Sequence, residues 1–132
     1  MWAVLHALGP EAWVAAEGDV PLAPITEVSG EPDLGAATRA FAQRPFVDLS
    51  PGEVSVALLA RALVSAPPLV VLDEAWAGMD ARMVGAARRY LRGGGVGSGQ
   101  AVVVVSHWEG EVPWEGKEVR RMKLVAGRAE IR

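Results

Sequence analysis

The spacing of apolar positions changes character near residue 50. Before it, two short helices are expected, at residues 2–8 and 34–43. The intervening GDVPLAPITEVSGEP, rich in Pro and Gly, reads as loop. After it the pattern sharpens. Ser50-Pro-Gly-Glu53 opens a helix: Ser50 and Glu53 have the capping-box spacing, and Pro51 falls at the first helical position, where its missing N–H costs nothing. Val56, Leu59, Ala60 and Leu63 recur on one face, and Val54 and Leu58 add a second, so the helix is expected to be buried nearly all round. Pro67 and Pro68 stop it. Leu69–Leu72 and the AVVVVS run at 101–106 are continuous apolar runs, the pattern of strands covered on both faces. Between them lies a helix at about 81–92, capped by Asp80 and carrying Arg88, Arg89 and Arg92 in its last turns, where the helix dipole favours cations. Strand, helix, strand at this spacing is a βαβ unit with parallel strands. The tail VRRMKLVAGRAEIR reads as a hairpin turning at Ala126-Gly127.

The chain is therefore α/β, and 132 residues suit one domain. Apolar residues make up 51% and charged residues 22%, as in globular proteins. No apolar run approaches the roughly 20 residues of a membrane helix. The 16 acids and 13 bases are mixed along the chain, which argues against a nucleic-acid-binding surface. Cysteine is absent, which excludes disulfides and thiolate metal sites and suits a cytoplasmic or other reducing compartment. The N-terminus has neither the basic leader nor the apolar centre of a secretory signal.

The candidate chemistry lies at strand ends. LVVLDEAWAGMD (69–80) runs from apolar residues into the adjacent carboxylates Asp73 and Glu74, and the next strand ends at His107. In open α/β sheets, ligands bind beyond the carboxyl ends of the strands. Neighbouring strands are about 4.8 Å apart, so Asp73, Glu74 and His107 are expected to converge on one small ligand. Read alone, each has a plain alternative: a solvated strand end, a surface histidine, and for Asp80 and Ser50–Glu53 ordinary helix caps.

In order and spacing these segments resemble a known family. LSPGEVSVALLARAL resembles the signature segment of ABC-type ATPases, usually LSGGQ followed by a helix ending in ARAL. LVVLDE is similar to their Walker B strand, AGMD to the D-loop, and VVVVSH to the strand that ends in the switch histidine. Within the family, SHWEGEVPW resembles soluble molybdate-uptake and photorepair-like proteins, including fungal members with SHWE-EVPW. The likeness covers residues 46–132 and implies the C-terminal portion of a P-loop NTPase domain. Residues 1–45 match no motif and would fall in or near the helical subdomain.

The resemblance implies ATP and Mg²⁺, with roles for named residues. Asp73 would hold Mg²⁺ through water, as hard cations take carboxylate oxygens. Glu74 would be the catalytic base and His107 would contact the γ-phosphate. Ser50, Pro51, Gly52 and Glu53 would form the signature that grips a nucleotide held by a second, head-to-tail ABC domain, since a helix N-terminus suits anions. Asp80 would sit at that seam. Departures are plain: Pro51 for Gly, Glu53 for Gln, Val56 for Arg, and Ala75-Trp76 for Pro-Thr. The phosphate loop G-x-x-x-x-G-K-[ST] is missing, and the lysines are Lys117 and Lys123 in the tail. GGVGSGQA (94–101) copies its glycine spacing but has Gln100 for Lys and runs from helix to strand, the wrong way round. The expected function is thus ATP binding and hydrolysis by an ABC-type ATPase of which this chain is a part. The alternatives are a non-catalytic module that lends the signature face to a partner, and a small metal-dependent phosphohydrolase using Asp73 and Glu74.

Overall fold

The computed structural model describes residues 2–14, 35–107, 111–114 and 119–131. Helices α1 (Trp2–Leu8), α2 (Pro10–Val14), α3 (Ala36–Gln43) and α4 (Pro51–Leu63) precede strand β1 (Leu69–Asp73). Helix α5 (Ala81–Tyr90) crosses over to strand β2 (Ala101–Val105), and a hairpin of β3 (Met122–Val125) and β4 (Arg128–Ile131) follows. The sequence anticipates each of these except α2. The loop expected at 18–32 lies outside the described residues.

The βαβ unit is as expected. β1 and β2 are parallel neighbours in register from Leu69–Ala101 to Asp73–Val105. The hairpin is antiparallel and turns through Ala126 and Gly127, both at positive φ, as a two-residue hairpin turn requires. It forms its own two-stranded sheet.

Burial corrects the expectation for the strands. Val70 is 2% exposed and Val71 58%, and the alternation continues through Leu72 and Asp73. Val70 and Leu72 pack into one core with Val56, Leu59 and Leu63 of α4, and Met83, Ala87 and Tyr90 of α5. The opposite face, with Leu69, Val71, Val103 and Val105, is exposed. A continuous apolar run suits two-sided burial, but here both helices lie on the same side of the sheet. Helix α4 is corrected for the same reason: Leu58, on the predicted second apolar face, is exposed.

The N-terminal helices share this core through Val4, Ala7, Leu8 and Phe41. Two of the arginines at the end of the helix predicted over 81–92 also tie the chain together. Arg89 Nη2 donates to the Ala12 carbonyl at 2.9 Å, and Arg92 donates to the carbonyl of Pro113. Gln100, in the glycine-rich loop, donates to the Pro67 carbonyl at 2.7 Å, which braces the loop between α5 and β2.

Helix α3 lacks a cap from its own N-cap residue, Gly35. Glu11 of α2 supplies one: its carboxylate accepts from the N–H groups of Ala37 and Thr38, at 2.9 and 3.1 Å, and from the Thr38 hydroxyl. The Thr38 hydroxyl is the main influence holding the Glu11 carboxyl below its ordinary value of 4.5; burial opposes it, and the two N–H groups reinforce it. A depressed carboxylate stabilises the fold above its unfolded pKa, and the contribution is lost as pH falls through the folded pKa. Glu11→Ala is therefore expected to cost about as much as a lost N-cap, about 1 kcal/mol, at neutral pH. The gap from the unsubstituted chain should close as pH drops below 4.5. Thermal unfolding of both chains across pH checks this, and a gap that persists undiminished in acid refutes it.

Candidate functional site at the carboxyl ends of the parallel strands

The Glu74 N–H donates to the Val105 carbonyl at 3.0 Å, continuing the β1–β2 ladder one residue past the strand. Glu74 itself has φ 45°, a left-handed conformation uncommon outside glycine. The chain turns sharply there, with the Ala77 N–H closing on the Glu74 carbonyl at 3.0 Å. Ladder and turn together bring Glu74 to the end of β2. His107 Nε2 lies 2.7 Å from Glu74 Oε1. Both side chains are largely exposed.

The pair opens onto a small cavity of about 140 Å³, also lined by Trp76, Ala77 and Glu111. The Glu111 carboxylate accepts from the Ser106 hydroxyl. Trp76 is buried, and its Nε1 has no hydrogen-bond partner among the described residues. Asp73 does not line this cavity. Strand alternation puts it with Leu69 and Val71 on the exposed face. Among the described residues no three His, Asp or Glu side chains form a metal-binding group. Of the three residues expected to converge, then, Glu74 and His107 meet, and Asp73 is exposed at the strand end outside their cavity. A single exposed carboxylate still fits Mg²⁺, which commonly takes one or two protein carboxylates and completes its shell with waters and phosphate oxygens.

The start of α4 is built as predicted and then closed further. Ser50 Oγ accepts from the Glu53 N–H at 3.3 Å, and the Ser50 N–H donates to Glu53 Oε2 at 2.7 Å. Arg44 lies 2.5 Å from the other Glu53 oxygen. Burial would raise the Glu53 carboxyl, but the Ser50 N–H, Arg44 and the Ser50 hydroxyl outweigh it and hold the group low. Gly52 is buried against the turn that follows Glu74. A Cβ there would meet the Gly78 carbonyl oxygen at 2.5 Å and Met83 Sδ at 2.9 Å. Ser55 Oγ donates to the Ala77 carbonyl at 2.7 Å, joining the same two segments. Asp80 Oδ1 accepts from the N–H groups of Arg82 and Met83, both at 2.9 Å, and so caps α5.

Ser50–Glu53, Asp80 and the Glu74 turn thus form one connected unit. Sequence reasoning missed Arg44 as the partner of Glu53, and Glu111 at the cavity, where the Ser106 hydroxyl donates to it. No spacing signal marks Arg44 or Glu111, because the two reach the site from different loops.

Comparison with known proteins bears on this unit. An uncharacterized ABC transporter ATP-binding protein of Schizosaccharomyces pombe is 40% identical over 70 residues, which is 53% of this chain and 14% of that protein. Zinc import ATP-binding proteins of Alkalilimnicola ehrlichii and Halorhodospira halophila are 48% and 44% identical over 64 residues each, 48% of this chain and 25% of theirs. About half of this chain is similar to ABC transporter ATP-binding proteins. The chain spans a quarter or less of the length of these relatives. No family profile matches it, and no solved structure does. Among the described residues, no helix is long and apolar enough to cross a membrane.

Proposed function

We propose that this chain carries the hydrolytic edge and the signature segment of an ABC-type ATPase. The observation that supports this best is the Glu74–His107 pair at the carboxyl ends of two parallel strands. It occurs in a chain half of which is similar to ABC ATP-binding proteins. In this reading Glu74 takes a proton from water as the water oxygen attacks the γ-phosphorus and the bond to the ADP oxygen breaks. His107, held against Glu74, orients that carboxylate and presents its ring to the γ-phosphate. Mg²⁺ at Asp73 would offset charge on the phosphate oxygens.

The signature would act from the opposite domain of a head-to-tail pair. With Pro51 lacking an N–H and the Glu53 N–H engaged by Ser50, the Gly52 N–H is the first-turn backbone donor that would meet a phosphate. Arg44 offsets the Glu53 charge that would otherwise repel it. Asp80 would sit at the seam between the domains. The reading places the protein in the cytoplasm or another reducing interior. The zinc-import names of two relatives do not repeat the molybdate-uptake likeness.

The chain supplies no lysine-bearing phosphate loop. Calorimetric titration of the chain with MgATP is therefore expected to give no micromolar binding. Tight binding by this chain alone would overturn the reading, because the β- and γ-phosphates would have found another cradle. The lack of that loop also favours a second reading, a module that lends its signature face to a complete ATPase domain. ATPase activity that rises when such a domain is mixed with the chain would select it.

A further inference from the structure

His107 must keep one orientation to stay against Glu74, yet its side chain is 84% exposed, so packing does little to hold it. The orientation therefore depends on the backbone at the end of β2. One restraint there is the hydrogen bond from the Glu74 N–H to the Val105 carbonyl, at 3.0 Å. A second comes from Ser106, the residue immediately before His107, whose hydroxyl donates to the Glu111 carboxylate. Hydrogen bonds to a carboxylate are roughly twice as strong as those between neutral groups.

Glu111 is itself close to an anchor. Two residues on, the Pro113 side chain is fully buried, and its carbonyl accepts from Arg92, just past the end of α5. Trp114 packs against the core beside it. The Ser106–Glu111 bond thus ties the strand end to a segment that the core and α5 already fix. Glu111 also lines the small cavity onto which Glu74 and His107 open.

We propose that Glu111 is a positioning residue of the hydrolytic site: by accepting from Ser106 it fixes the strand end from which the His107 ring reaches Glu74. The role needs an acceptor oxygen at position 111 and not a negative charge. The consequence for turnover rests on the ATPase reading; the consequence for the ring does not.

The test has two arms. In the first, nuclear magnetic resonance follows the two histidine rings of the full chain, His6 and His107. Glu111→Leu and Ser106→Ala each remove the bond, and are expected to shift the His107 ring resonances and abolish its Overhauser contacts with Glu74. Glu111→Gln keeps an acceptor oxygen and should preserve them. Unmoved His6 resonances show that the fold has held, and Ser106→Ala, the smaller change, decides the matter where Glu111→Leu disturbs His6. In the second arm the variants are placed in a polypeptide that joins this sequence to a phosphate loop. The two bond-deleting variants should lower kcat about ten- to a hundredfold and change KM for ATP less than about twofold. Their double variant should fall no further than either, and Glu111→Gln should turn over like the unsubstituted protein.

A His107 ring that keeps its Glu74 contacts in both bond-deleting variants would overturn the proposal. So would a Glu111→Gln protein that behaves like Glu111→Leu, since the charge and not the bond would then act, or single losses that multiply in the double variant. A displaced ring with full kcat, in a protein that Glu74→Gln inactivates, would overturn it too. Failure of the ATPase reading looks different: Glu74→Gln would keep full turnover while the first arm still came out as expected.

Discussion

Glu74→Gln is expected to slow ATP turnover by about 10²–10⁴-fold in a polypeptide that joins this sequence to a phosphate loop. The substitution keeps the size of the side chain and an oxygen to face His107, and removes the capacity to take a proton. It also leaves the left-handed turn at residue 74 with a side chain of the same branching, so backbone strain changes little. MgATP affinity should hold while turnover falls, which separates a lost base from a lost site. His107→Ala, which removes the ring 2.7 Å from that carboxylate, should also lower turnover, through orientation. Steady-state turnover and nucleotide affinity for both variants decide the matter. Full turnover in the glutamine variant would remove Glu74 as the base and, with it, the main support for the ATPase proposal.

The second large effect concerns stability. Leu59 and Leu58 are neighbours on α4, yet they are 3% and 48% exposed. Leu59 lies in the cluster that joins α4 to β1 and α5. Truncation to alanine there removes buried methyl groups and leaves a cavity, at a cost of about 2–5 kcal/mol. Domains of this size are stable by about 5–15 kcal/mol, so Leu59→Ala should lower the melting temperature steeply. Leu58→Ala is expected to cost less than about 1 kcal/mol, since about half of its surface is already in water. Chemical denaturation of the two variants measures the difference directly. Similar losses at both positions would mean that the outer face of α4 is covered.

Much of the site was legible because its logic is local. The capping box needs only Ser50 and Glu53 three residues apart, and both of its hydrogen bonds are present. Asp80 caps α5 for the same reason. The βαβ reading rests on period and length, and the handedness of the chain then makes β1 and β2 parallel neighbours. That adjacency is what allowed Glu74 and His107 to be paired from the sequence, although they lie far apart along the chain. Asp73 does not line the cavity beside that pair, because alternation along a strand sends successive side chains to opposite faces. Its neighbour Glu74 escapes that rule only through the left-handed turn that follows the strand.

The sequence by itself determined, for every element but α2, roughly where helices and strands begin, together with which carboxylates stand at a strand end and how the motifs are ordered. These follow from interactions within a few residues of one another, which composition and spacing record. The tertiary structure alone decided that β1 and β2 have one covered and one bare face, that Arg44 attends Glu53, and that Gly52 is pressed against Gly78. An apolar run states that burial is favourable but not which layer will provide it. That depends on where distant helices pack, and the free energy that places them is shared across the whole core.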